Sequence, residues 1–90
     1  MLLLLTDVDA VYLDFGTPQA RRIGRVGAAA LSGDQFAAGS MQPKIEAATG
    51  FVAATGRAAA IGRLEDAAAI VLGHAGTMIE AGSSDIEIRR

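Results

Sequence analysis

The chain opens with Leu2-Leu3-Leu4-Leu5, a continuously apolar run that ends in the polar turn Thr6-Asp7-Val8-Asp9. Such a run suits a strand buried on both faces of a parallel sheet, with a neighbour on each side. A second apolar stretch, Ala10 to Leu13, stops at Phe15-Gly16-Thr17-Pro18, where glycine and proline mark a turn. Ile23 to Leu31 reads as a short strand followed by one or two helical turns, interrupted by glycines at 24 and 27. From residue 39 the period changes. Gly39-Ser40-Met41-Gln42-Pro43-Lys44 is a loop entering a helix, with Ser40 as the N-cap and Pro43 in the first turn, where its missing N–H costs least. Ile45, Ala48, Phe51 and Val52 then share one helical face. Thr55-Gly56 closes that helix, Ala58 to Ile61 predicts a compact strand, and Leu64 to Leu72 a second helix ending at Gly73. Thr77-Met78-Ile79 is the last strand. The order predicts an α/β layer structure with mainly parallel strands over residues 1–81, followed by a tail over 82–90.

Composition narrows the function more than the fold. Ninety residues make one small domain, and 51% hydrophobic against 20% charged residues is a globular balance. A net charge of -2 gives no broad footprint for nucleic acid or an anionic membrane, so a phosphate site would have to be local. The absence of cysteine excludes disulfides, thiolate metal sites and cysteine nucleophiles. The leucine run lacks a basic flank, is cut short by Asp7, and falls well below the roughly 20 apolar residues of a spanning helix. A soluble, cytoplasmic protein is the expectation.

Lys44 is the residue most suggestive of chemistry. A cation in the first turn of a helix faces the positive end of the macrodipole and is disfavoured by a few tenths of a kcal/mol. Backbone N–H groups of a glycine loop at a helix start, with one lysine, make a phosphate site by geometry. A solvated ion pair with Glu46 is the competing reading, and no G-x-x-x-x-G-K-[ST] loop is present. Asp7 and Asp9 follow a strand, where open α/β sheets bind ligands; capping of turn backbone as Asx turns is the simpler use for them. Tyr12, the sole tyrosine, could pack on a base or ribose, although such a residue is more often half-buried with its hydroxyl wet. His74, the sole histidine, reads as a favourable charge near a helix end, and Arg21, Arg22 and Arg25 as a solvated face. Nothing supports a Ser/His/Asp triad.

Taken in order, Thr6-Asp7-Val8-Asp9-Ala10-Val11-Tyr12, Phe15-Gly16-Thr17-Pro18, the stretch from Gln35 through Gly39-Ser40-Met41-Gln42-Pro43-Lys44 to Ala48, and Gly76-Thr77 closely resemble carbamate kinases of the amino acid kinase superfamily. The likeness covers about residues 2–80. It implies the C-terminal, ATP-binding half of an α/β/α sandwich, here a partial three-layer sandwich with a mainly parallel sheet. The implied reaction is reversible phosphorylation of carbamate by ATP, with Mg2+ accompanying the nucleotide and a place in arginine metabolism. Thr6, Asp7, Val8 and Tyr12 would line the adenosine pocket, Gly39, Ser40 and Met41 would approach the nucleotide, and Lys44 would neutralise the transferring phosphoryl group. No residue is assigned to the metal.

Family members are roughly three times as long, and their preceding residues hold the carbamate. The resemblance therefore implies a fragment or one piece of a split protein, inactive alone. It also leaves a non-catalytic alternative, in which a separate N-terminal half or a second copy completes the sheet.

Overall fold

The computed structural model describes residues 1–13, 18–31, 41–82 and 86–88. Among these described residues, six strands and two helices follow one another as β1 (Leu2–Thr6), β2 (Tyr12–Leu13), β3 (Arg21–Gly27), α1 (Met41–Thr55), β4 (Ala59–Arg63), α2 (Ala67–Val71), β5 (Thr77–Glu80) and β6 (Ile86–Ile88). Single 3-10 turns at Ala28–Ala30 and Leu64–Asp66 follow β3 and β4. Five strands lie in the order β1-β4-β5-β3-β2, and β6 also pairs with β3.

The pairings β1·β4 and β3·β5 are parallel, whereas β5 runs against β4, and β2 and β6 run against β3. The antiparallel step from β4 to β5 has a simple cause. Past α2 the left-handed glycines Gly73 (φ 81°) and Gly76 (φ 70°) turn the chain back before it travels to the far end of the sheet. The next strand therefore starts at the end where β4 stops. Within the stretch read as a tail, Ile86-Glu87-Ile88 forms β6 along β3.

The helices occupy opposite faces. Ile45, Ala48 and Val52 of α1 are buried in one cluster with Val11, Ile23, Val26, Ala59, Ile61 and Ile79, and Phe51 packs at its margin. Side chains alternate along β4, so Gly62 faces the other way from Ile61. There the Ile70 side chain of α2 rests directly on the Gly62 backbone, fully buried. The result is the α/β/α layering expected, with the helical face of α1 as its periodicity predicts. At the end of α1 the Gly56 N–H donates to the Val52 carbonyl at 2.9 Å. Beyond α2, Gly73 at φ 81° lets its own N–H reach Ile70 O at 3.0 Å and the His74 N–H reach Ala69 O at 2.8 Å, a Schellman closure.

One expectation is corrected. β1 is not buried on both faces between two neighbours: among the described residues it pairs only with β4, its residues are half-buried, and Leu5 is 37% exposed. A strand with one neighbour cannot reach the burial that its composition suits.

Candidate functional site

Four strand ends converge at one edge of the molecule. β1 and β4 finish there in register at Thr6 and Arg63, and β5 and β3 begin there at Thr77 and Arg21. Because β1 and β2 stand at opposite ends of the strand order, the segment 7–11 must cross over the ends of β4 and β5 to join them. This is the crevice beyond the carboxyl ends of β1 and β4, the position where open α/β sheets place ligands.

The crossing segment is held from below and from the side. Ala10 and Val11 are buried, and the Val11 N–H donates to Thr77 Oγ1 at 2.8 Å. The hydroxyl of Thr77 in turn donates to the Ile23 carbonyl at 2.6 Å, while the Ile23 N–H donates to the Val11 carbonyl at 2.9 Å. Beside these anchors, Asp9 accepts the Tyr12 hydroxyl on Oδ1 at 2.9 Å and the Arg22 guanidinium on Oδ2 at 3.3 Å. Cross-strand register explains the meeting, since Tyr12 pairs with Arg22 in the β2·β3 ladder. Burial first, then the hydrogen bond and charge of Asp9, push the Tyr12 phenol above its ordinary value of 10.0, against a smaller opposing pull from Arg22 and Arg63. A second ion pair joins Arg63 Nε to Asp66 Oδ2 at 3.1 Å, and this bond holds the guanidinium pKa above its ordinary value. Together Asp9, Arg22, Arg63, Asp66, His74 and Gly76 border a small cavity of about 80 Å³.

The residues singled out from the sequence are distributed over three elements. Thr6 closes β1 and donates its hydroxyl to Asp7 Oδ1 at 3.1 Å; Asp7 is exposed and Val8 half-buried on the crossing segment. Tyr12 opens β2. Met41 is the first residue of α1, and Lys44, the sole lysine, is half-buried in its first turn, which holds no acidic residue. Gly39 and Ser40 lie outside the described residues. Asp9 pairs with Arg22 at the site, and Arg22 remains exposed, as the solvated-face reading expects. Arg25 pairs instead with Glu80 and Glu87 on the surface, and Arg21 is exposed. Arg63 was not signalled by any local pattern, and Thr77 entered only as part of the Gly76-Thr77 motif with no role given to it; the strand register brings both to this edge.

The chemistry available is that of recognition. Asp7 retains acceptor capacity suited to sugar hydroxyls, and Val8 and the Tyr12 ring provide half-buried surface for a planar group. Among the described residues no cluster of three His, Asp or Glu side chains could hold a metal, and no helix is long and apolar enough to cross a membrane.

Comparison with known proteins bears on the family and the fold. The sequence pattern of the amino acid kinase family matches residues 1–63. A carbamate kinase of Rhizobium meliloti is 48% identical over 86 residues, which is 96% of this chain and 26% of that protein. One from Thermoplasma volcanium is 43% identical over 81 residues, covering 86% and 27%. Among solved structures, carbamate kinase from Giardia lamblia bound to AMP-PNP superposes with a TM-score of 0.82 at 33% identity, over 89% of this chain and 30% of that one. The chain thus spans about a quarter of the length of the curated relatives it matches. Sequence pattern and fold agree: the chain belongs to the amino acid kinase family, and the relatives it resembles within that family are carbamate kinases.

Proposed function

We propose that this chain supplies the nucleotide side of a carbamate kinase reaction, in which the γ-phosphoryl of ATP passes to a carbamate oxygen to give ADP and carbamoyl phosphate, reversibly. The observation that carries the reading is the placement of the Thr6–Tyr12 segment across the sheet end, in a chain 48% identical to a carbamate kinase. Thr6, Asp7, Val8 and Tyr12 form the wall against adenosine. Gly39, Ser40 and Met41 approach the phosphates at the entry to α1, and Lys44 offsets their charge. Mg2+, when bound with the nucleotide, neutralises phosphate oxygens; no described residue is assigned to it.

Residues 1–81 are taken as the nucleotide-binding part and 82–90 as a trailing segment whose strand β6 lies along β3, in a protein acting in the cytoplasm. The relatives carry out the reaction with chains of which this one covers 26%, and on that ground the 90 residues bind nucleotide without turnover when alone. Calorimetric titration with Mg-ADP tests this. Saturable binding is expected, weakened about tenfold or more in Lys44→Ala, the worth of one charge-assisted phosphate contact. Equal affinity of the variant would remove Lys44 from the site, and no binding by a folded chain would remove the proposal.

A second reading rests on the free edge of β1. Leu2 to Leu5 pairs on one side only among the described residues, an apolar edge suited to an added strand from a separate N-terminal half or a second copy. Sedimentation velocity decides it: a concentration-independent monomer that ignores such a half speaks against association.

A further inference from the structure

We propose that Thr77 is the positioning residue of the nucleotide site, fixing the crossing segment through its hydroxyl without touching the ligand. The inference rests on the proposal that this segment faces the nucleotide. Among the described residues, Thr77 is the one buried polar side chain, with no exposed surface. Its hydroxyl is used in both directions, accepting from the Val11 N–H at 2.8 Å and donating to the Ile23 carbonyl at 2.6 Å. Val11 and Ile23 also bond each other, so three hydrogen bonds close a ring linking β5, β3 and the crossing segment.

The ring sits at the point where position matters. Val11 lies between Asp9 and Tyr12, whose side chains are joined to each other. Pinning the Val11 amide therefore sets where both of those side chains stand over the strand ends. A valine at 77 has the same shape but neither accepts nor donates. The buried Val11 N–H then has to move toward water to regain a partner, and the segment moves with it. A serine keeps both hydrogen bonds and gives up only a methyl group. This separates a hydroxyl that positions from a side chain that merely fills space.

Mg-ADP affinity is measured by calorimetry on the full chain, Thr77→Val and Thr77→Ser, at a temperature where circular dichroism shows each folded. We expect about a tenfold loss in Thr77→Val and less than about threefold in Thr77→Ser. Loss of stability alone would lower the melting temperature of Thr77→Val while leaving the affinity of the folded molecules unchanged, and that outcome overturns the inference. An equal loss in both variants also overturns it, by assigning the effect to packing. Failure of the unsubstituted chain to bind sinks the nucleotide reading itself, and is distinct from binding that is indifferent to residue 77. Should Thr77→Val not fold, hydrogen exchange of the unsubstituted chain decides. Protection of the Val11 amide within about tenfold of the Ile61 amide supports the clamp, and exchange at the rate of an unstructured peptide refutes it.

Discussion

Replacing Gly76 by alanine tests how tightly Ile61 and Ile70 close on the base of the site. Gly76 has φ 70°, and a Cβ built there would lie 2.7 Å from the Ile61 carbonyl oxygen and 3.0 Å from Ile70 Cγ1. Two costs combine. The left-handed backbone costs an alanine about 1–2 kcal/mol relative to glycine. Displacing a β4 carbonyl and a buried isoleucine adds the overpacking penalty, typically about 1–3 kcal/mol. The expected loss is thus about 2–5 kcal/mol, a large part of the stability of a domain this small.

Two internal controls share the substitution but not the surroundings. Gly73 has φ 81° with nothing within 4 Å of the place a Cβ would take, so Gly73→Ala should cost only the backbone share, about 1–2 kcal/mol. Gly50 lies within α1, again with nothing within 4 Å, and Gly50→Ala should stabilise by about 1 kcal/mol through helix propensity. Urea unfolding followed by circular dichroism gives all three. Equal losses at positions 73 and 76 would refute the claim that Ile61 and Ile70 close tightly on this glycine.

Tyr12 supplies a spectroscopic prediction, because it is the only tyrosine and its phenolate absorbance reports one group. The folded chain should titrate above 10.0 and the urea-unfolded chain at the ordinary value. Since the folded-state value is the higher, the stabilisation linked to this proton is complete below the unfolded value and is lost as pH rises through the folded one. Asp9→Asn should lower the folded midpoint only partway, because burial, the largest cause, remains; a midpoint unmoved by that substitution would show that Asp9 does not act on the phenol. Ile70→Ala, in turn, empties the space above Gly62 and Gly76 and should cost about 2–5 kcal/mol in the same urea assay, whereas a loss below about 1 kcal/mol would mean that α2 is not firmly seated.

The elements were legible where periodicity and punctuation agreed. The face Ile45, Ala48, Phe51, Val52 identified the buried side of α1, and Gly56 and Gly73 marked both helix ends. Strand direction was less accessible, because it depends on where the turns at Gly73 and Gly76 return the chain rather than on any residue within β5. The edge position of β1 was hidden for a related reason: an apolar run records what a strand can tolerate, not which neighbours it has. At the site, family resemblance pointed to the Thr6–Tyr12 segment. The partners that hold it, Arg22 and Thr77, lie 13 and 66 residues from the atoms they bind. Such pairs are set by the ladder register and leave no mark in local sequence.

The most direct test of the central claim is an amide chemical-shift map of the full chain titrated with Mg-ADP. Saturable shifts are expected at residues 6–12, at Arg22, Arg63 and Gly76 around the strand ends, and in the first turn of α1, with β6 and the outer face of α2 unmoved. Shifts confined to β6 or α2, or none at all in a folded chain, would contradict it.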